Sequence, residues 1–124
     1  MLALDYGHVR TGVAVSDETG SIARPLTVVP RAGSKEGLET VGALVRSEGA
    51  ALVVVGLPVS LDGGEHRQAR EVRSFVERLR RTIDVPVVLY DERFTTALAR
   101  QRGGSSALDA RAAALILEDY LSST

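Results

Sequence analysis

The sequence of 124 residues contains no cysteine and only two histidines. The lack of cysteine excludes disulfide bonds, thiolate nucleophiles and thiolate zinc sites, and two isolated histidines leave little for a zinc or iron site. Any bound metal must therefore have oxygen ligands, which points to Mg²⁺ or Mn²⁺.

Long uncharged apolar runs are also missing, so we expect no segment that crosses a membrane. No basic and apolar leader precedes Leu2, which predicts a cytoplasmic protein. With 44% hydrophobic and 25% charged residues, the composition is typical of a soluble globular protein, and the length suits one domain over residues 1–124.

An excess of charge of either sign is absent as well, since 15 basic residues face 16 acidic ones and the net charge is −1. Attraction to nucleic-acid phosphates would therefore have to come from local separation of charge. Lys35 is the only lysine, so arginine supplies nearly all the positive charge. The planar guanidinium of arginine suits phosphate contacts.

The stretch from Leu2 to Asp17 predicts an apolar strand with one carboxylate, a turn with Gly7 and Gly12, and a second strand of β-branched residues. Asp5 directly follows Leu-Ala-Leu, and an ionised acid among buried neighbours is costly unless a cation or hydrogen-bond donors meet it. The candidate partners are a metal, a phosphate-handling loop and the backbone amides of the next turn.

The remaining pattern predicts the order βββαβαβα, which indicates an α/β fold with one mixed sheet and helices on its faces. A third strand is expected at 22–29, and Pro25 indicates that it lies at an edge or is bulged. A helix follows from the Ser34 cap to about Ser47, with Gly49 as its stop, and then a fourth strand at 51–56. The later elements are a second helix with the buried stripe Ala69, Val72, Phe75, Val76 and Leu79, a fifth strand at 87–90, a short helix at 94–101 and a last helix at 107–121.

Acidic residues fall where ligands collect in sheets of this kind, at the carboxyl ends of the parallel strands. Asp5 ends the first strand, Asp91 and Glu92 end the fifth, and Asp109 lies near the start of the last helix. Like charges brought together repel, and a divalent cation removes that repulsion. A structural role is the alternative: Asp109 fits a capping box, and Asp91 suits a turn or a helix cap.

Five blocks of the sequence, in order along nearly the whole chain, carry a resemblance to a known family. They are Asp5-Tyr6-Gly7 with Arg10 and Gly12; Ala23-Arg24-Pro25; Val55-Gly56-Leu57-Pro58 with Asp62-Gly63; Asp91-Glu92-Arg93-Phe94-Thr95-Thr96; and Leu108-Asp109 before Ala112-Ala113 and Ile116-Leu117. This set resembles the YqgF (also RuvX) family of bacterial ribonuclease H-like proteins, whose members are described as nucleases of pre-16S rRNA and as Holliday junction resolvases.

The resemblance implies a ribonuclease H-like sheet in the order 3-2-1-4-5 with strand 2 antiparallel, and a Mg²⁺-dependent nuclease, with Mn²⁺ as the other metal. It implies that the catalytic, metal-binding carboxylates are Asp5, Glu92 and Asp109, with Asp91 as a weaker candidate. It assigns substrate binding to Arg10, Gly56, Pro58, Asp62, Arg93, Thr95 and Thr96. The implied partner is structured RNA or branched DNA, and the protein would be a monomer or a homodimer.

The segment between the Thr-Thr pair and Asp109 departs from the family pattern, because only residues 97–108 intervene and Arg100 and Arg102 supply its positive charge. Family members usually carry a longer basic segment here. A non-catalytic RNA-binding assembly factor is therefore a competing hypothesis. A sugar-kinase-like ATPase would also have an Asp-Tyr-Gly phosphate loop, but that fold needs two lobes and this chain has residues for one.

Overall fold

The computed structural model describes residues 1–17, 22–57, 67–91 and 106–122, and for residues 106–109 it describes the backbone alone. Within these ranges the elements are β1 (Leu2–Asp5), β2 (Arg10–Ser16), β3 (Ala23–Pro30), α1 (Lys35–Ser47), β4 (Val53–Leu57), α2 (Arg67–Thr82), β5 (Val87–Asp91) and α3 (Ser106–Ser122). This order confirms the predicted βββαβαβα sequence of elements. The short helix predicted at 94–101 lies outside the described residues.

Five strands of the described ranges form one mixed sheet in the order β3-β2-β1-β4-β5. β2 is antiparallel to both β1 and β3, whereas β1, β4 and β5 run parallel to one another. Leu4, in the central strand, pairs with Val13 on one side and with Val55 on the other. The predicted sheet order is therefore confirmed, while one domain over residues 1–124 stays a prediction.

The edge position that proline predicts for the third strand is also confirmed. β3 lies at the edge of the sheet, and its pairing with β2 shifts register between Val13 and Ala14. At this point Leu26 is an extra residue on β3 next to Pro25, so the strand is bulged as well. The sequence pattern predicts that the strand opens at Ile22, but β3 begins one residue later and Ile22 is 64% exposed.

The turn between β1 and β2 is shorter than predicted, because the ladder between the two strands continues to the pair formed by Asp5 and Gly12. Gly12 therefore lies inside β2, and the prediction that it belongs to the turn is wrong. Gly7 does lie in the turn, where a Cβ would collide with the carbonyl oxygen of Arg10. β4 begins two residues later than predicted, and β5 ends one residue later.

The two ends of α1 are formed by the residues that the sequence predicts. The Ser34 hydroxyl accepts a hydrogen bond from the Gly37 amide at 3.0 Å, which satisfies one of the free amides of the first turn. Gly49 follows the last turn with φ +63°, a left-handed backbone conformation that glycine adopts without a steric penalty.

Side chains alternate between the two faces of the sheet, and different helices cover each face. On β1, Leu2 and Leu4 belong to the apolar cluster that contains residues of α1 and α2, and we call this side the α1–α2 face. Ala3 packs in a separate cluster with Ile116 and Leu117 of α3, and this side is the α3 face. Helices therefore cover both faces, as predicted.

Bulky side chains fill the α1–α2 face. The stripe predicted for the second helix is confirmed, since all five of its members are buried: Ala69, Val72, Phe75, Val76 and Leu79. The ring of Phe75 stacks on that of Tyr6 with centroids 4.4 Å apart. Burying this stripe against the valines and leucines of the sheet holds α2 in place.

On the α3 face, alanines form the contact between α3 and the strands β1 and β2. Ala113 and Ala114 of α3 pack with Ala14 of β2, and Ala112 packs beside Ala3 of β1. Alanine allows the backbone of a helix to approach the sheet closely, and the position of α3 relative to the strand ends therefore depends on these contacts.

Candidate active site

Asp5 is the last residue of β1 and is only 6% exposed. Because side chains alternate along a strand, Asp5 lies on the same face as Ala3, which is the α3 face. Its position at the carboxyl end of a central strand is where sheets of this kind bind ligands. The structure thus brings a buried carboxylate to the predicted edge.

The strands on both sides of Asp5 carry glycine beside it. Gly12 of β2 pairs directly with Asp5. Gly56 of β4 follows Val55, the register partner of Leu4, and so lies next to Asp5 on the other side. Neither strand neighbour therefore places a side chain beside the Asp5 carboxylate on the α3 face.

Arg10 is the first residue of β2 and is half-buried. It is two residues from Gly12 in the strand, so it lies on the α3 face, just beyond the end of β1. The side of the sheet that carries the Asp5 carboxylate therefore also carries an arginine at the same edge. Of the seven residues that the resemblance assigns to substrate binding, Arg10 and Gly56 lie within the described ranges, and both are at this edge.

The end of β5 separates the two acids that the sequence offers there. Asp91 pairs with Leu57 and alternates with Tyr90, whereas Tyr90 packs in the cluster of the α3 face. Asp91 is thus on the α1–α2 face, opposite to the face of Asp5. This placement argues against a shared role of Asp91 and Asp5. That Glu92 supplies the metal-binding acid at the end of this strand stays a prediction.

The other predicted site residues lie outside the described side chains. Asp109 belongs to the first turn of α3 by its backbone. Outside the described ranges are Pro58, Asp62, Glu92, Arg93, Thr95 and Thr96. In the described part of the chain, no three acidic or histidine side chains form a group that could hold a metal ion. The convergence of Asp5, Glu92 and Asp109 therefore stays a prediction.

Tyr90 lies on the α3 face, and in the sheet Gly56 separates it from Asp5. It is the register partner of Gly56, and its hydroxyl donates a hydrogen bond to Oδ2 of Asp119 at 2.7 Å. Its ring meets that of Tyr120 edge to face, with centroids 5.7 Å apart. These contacts connect β5 to the C-terminal half of α3, and no spacing signal in the sequence links residues so far apart.

The sequence model of the RuvX family, described as "Holliday junction resolvase", matches residues 1–123. The chain belongs to the RuvX family. Two relatives carry the name "Putative pre-16S rRNA nuclease". The protein of Anaplasma marginale is 42% identical over 130 residues, which cover 98% of this chain and 83% of the relative. That of Anaeromyxobacter sp. (strain Fw109-5) is 40% identical over 129 residues, covering 97% of this chain and 94% of the relative.

Two solved structures show the same fold as this RuvX chain. RuvC of T. thermophilus in complex with a Holliday junction substrate gives a TM-score of 0.57 at 21% identity, over 99% of this chain and 95% of the other. The fowlpox virus Holliday junction resolvase gives a TM-score of 0.51 at 11% identity, over the full length of both chains. The predicted family and the ribonuclease H-like fold are therefore confirmed.

In the described ranges, no helix is long and apolar enough to span a bilayer.

Proposed function

We propose that this protein is a divalent-metal-dependent endonuclease that processes the pre-16S rRNA. The observation that carries the proposal is the buried carboxylate of Asp5 at the carboxyl end of β1, on the α3 face and between two glycines. The membership in the RuvX family and the names of its relatives support a nuclease with this substrate. With a ribosomal RNA precursor as substrate, the protein would act in the cytoplasm.

The proposed metal ligands are Asp5, Glu92 and Asp109, with Asp5 and Asp109 as ligands and Glu92 as a ligand or as the group that orients water. Their chemistry fits Mg²⁺ or Mn²⁺, because these ions prefer carboxylate oxygens and the chain contains no cysteine. The bare backbone of Gly12 on one side of Asp5 is compatible with an ion there. When bound, such an ion activates water and stabilises charge on the scissile phosphate.

The chain's own residues supply binding and orientation at this edge. The burial of Asp5 keeps bulk water from its carboxylate and limits its rotation. Arg10 lies on the same face beyond the end of β1, where its guanidinium can donate hydrogen bonds to a phosphate of the substrate. Gly56 presents no side chain, so the sugar-phosphate backbone can approach β4. For Pro58, Asp62, Arg93, Thr95 and Thr96, we propose contacts to the substrate on either side of the cleaved bond.

The test of this proposal is the Asp5→Asn variant, which has the same shape but cannot neutralise a cation. We expect cleavage of a pre-16S rRNA fragment in Mg²⁺ to fall by about 10³-fold, equal to about 4 kcal/mol in the barrier. The control is Asp84→Asn, which removes a carboxylate from an exposed position between α2 and β5 and should cleave like the wild type. Circular dichroism checks that both variants fold.

Undiminished cleavage by Asp5→Asn would refute the assignment of Asp5. RNA binding that weakens with salt, without any product in Mg²⁺ or Mn²⁺, would favour the non-catalytic assembly factor instead. Chelation with EDTA should abolish cleavage by the wild type if the activity depends on the proposed metal.

A Holliday junction resolvase is the second candidate, favoured by the description of the family and by the fold shared with RuvC. A resolvase cuts two strands symmetrically, which favours a homodimer over a monomer. Paired nicks in a four-way DNA junction, together with a dimer in light scattering, would support this candidate. A monomer that leaves four-way junctions intact but cuts the rRNA precursor would exclude it.

A further inference from the structure

A cavity opens on the opposite side of the sheet from Asp5. It has a volume of about 390 Å³ and lies between α2 and the segment that connects β3 to α1. Tyr6, the residue after Asp5, belongs to its wall and to the apolar cluster of the α1–α2 face. Two consecutive residues thus point to opposite faces, and this cavity, which we call the Tyr6 cleft, is separate from the proposed active site.

The charge of the Tyr6 cleft is positive. Arg31 and Arg78 both line it. Among the described residues of its wall, Glu71 is the single acidic one, and its carboxylate accepts a hydrogen bond from Nε of Arg67 at 3.3 Å, outside the cleft. Two guanidinium groups against one paired carboxylate favour an anionic ligand.

Arg78 is held in the cleft by the backbone around it. Its guanidinium donates a hydrogen bond to the carbonyl oxygen of Gly33, and its Nε donates one to the carbonyl oxygen of Ser74 at 3.5 Å. A Cβ at Gly33 would come within 3.0 Å of the Tyr6 hydroxyl and 3.2 Å of the Arg78 guanidinium. Glycine here allows both groups to stand side by side. A guanidinium has five N–H donors, so these two bonds leave capacity for a ligand.

Arg31 lies on the other side of the cleft and is exposed. Its φ of +46° is in the left-handed region, which is uncommon for a residue with a long side chain. Glycine or asparagine would suit this backbone better, so arginine at this position costs conformational energy. The positive end of α1 adds to this field, because its N-cap, Ser34, is also part of the wall.

We propose that the Tyr6 cleft binds a phosphate group between Arg31 and Arg78, with the hydroxyls of Tyr6 and Ser74 as further donors. This chemistry is shared by the phosphodiester backbone of a nucleic acid and by free phosphate or nucleotides. The first source rests on the proposed function and would add a contact to the substrate on the far side of the sheet from the cleaved bond. Binding of phosphate itself does not depend on it.

The experiment is a titration of the ¹⁵N-labelled protein in EDTA with inorganic phosphate, with AMP and with a short single-stranded RNA. We expect the amide signals of Gly33 and Ser34 to shift. The Arg31→Gly variant removes the guanidinium and suits the left-handed backbone, so it should fold well and raise the dissociation constant about tenfold. The control is Arg81→Ala, which removes the same charge from an exposed position at the end of α2.

Shifts at Gly33 and Ser34 that Arg31→Gly weakens and Arg81→Ala preserves would support the proposal. If RNA produces the shifts, a plot of the logarithm of the RNA-binding constant against the logarithm of the salt concentration should be less steep for Arg31→Gly than for the wild type. The slope should differ by about 0.7, the value for one phosphate contact on a single strand. If phosphate and AMP produce them and RNA does not, the cleft takes a free phosphate ligand. The proposal would be overturned if phosphate, AMP and RNA all left the signals of Gly33 and Ser34 unmoved. It would also be overturned if Arg31→Gly and Arg81→Ala weakened binding equally.

These outcomes are independent of cleavage, because the titration contains no metal. Asp5→Asn should bind phosphate in the Tyr6 cleft like the wild type, since Asp5 lies on the other face of the sheet. A protein that cleaves no RNA but binds phosphate here would refute the nuclease and leave this inference intact. A protein that cleaves RNA but binds no phosphate in the Tyr6 cleft would refute this inference alone.

Discussion

The two faces of the sheet are built from different kinds of side chain. The α1–α2 face buries Phe75, Leu4 and Leu79 together with a row of valines. The α3 face has Ala3 and Ala14 under α3, and glycines on the two strands beside Asp5. The large side chains contribute most of the apolar area removed from water, and the small ones allow backbone and ligand to come close to the sheet.

If the proposed active site is correct, this difference assigns most of the stability to the α1–α2 face and the cleavage reaction to the α3 face. Asp5 lies on the α3 face, where alanines of α3 pack against Ala3 and Ala14, so a change in the distance between α3 and the strands should alter its surroundings. A change on the α1–α2 face should therefore act on the free energy of unfolding, whereas a change on the α3 face should act on unfolding and on cleavage together.

The largest effect on stability is expected from Phe75→Ala, which empties the centre of the α1–α2 face and removes the ring that stacks on Tyr6. We expect the free energy of unfolding to fall by about 3–5 kcal/mol, because a cavity remains where the ring was. Urea denaturation followed by circular dichroism measures this. Gln68→Ala, on the exposed side of the same helix, should change it by less than about 0.5 kcal/mol. If Phe75→Ala lowered the free energy of unfolding by less than about 1 kcal/mol, the α1–α2 face would not be the main source of stability.

A smaller effect on stability but a direct effect on cleavage is expected from Ala113→Leu, which adds three carbons where α3 meets Ala14. Overpacking should cost about 1–3 kcal/mol and move α3 away from the strands. Because the proposed ligand Asp109 belongs to α3, cleavage by the folded variant should fall as well. Arg111→Leu, on the exposed side of α3, is the control. Full cleavage by a destabilised Ala113→Leu would show that the site does not depend on this packing.

The smallest effects are expected at two glycines of the α1–α2 side, and they have opposite signs. Gly49→Ala should lower the free energy of unfolding by about 1 kcal/mol, because φ is +63° and no neighbour lies within 4 Å of the added carbon. Gly42→Ala should raise it by about 0.5–1 kcal/mol, since alanine favours the helix and its Cβ would meet its nearest neighbour at 3.5 Å. Equal changes in thermal unfolding of the two variants would contradict this account of α1.

Much of the fold follows from local patterns in the sequence. The stripe from Ala69 to Leu79, the cap at Ser34 and the stop at Gly49 are each visible within a few residues, and the structure confirms them. Pro25 likewise indicates an edge strand without any knowledge of the other strands. Gly12 was misplaced because a glycine in a strand looks like a turn until its partner across the ladder is known.

The candidate site follows less directly from the sequence, because it depends on the face to which each residue points. The sequence places Asp5 and Asp91 at strand ends but does not indicate that they lie on opposite faces, which follows from the register with Gly12 and with Leu57. The hydrogen bond from Tyr90 to Asp119 joins residues 29 positions apart, so no local spacing predicts it.

The linear order of residues sufficed for the order and kind of the elements in the described ranges, for the family, and for Asp5 as the acid that needs a partner. Those properties depend on short-range periodicity and on motifs that neighbouring residues carry. The glycines on both sides of Asp5, the arginines of the Tyr6 cleft and the assignment of one acid to each face arise only when the strands pair. Pairing joins segments far apart in the chain, and hydrogen-bond register is a property of two strands rather than of one.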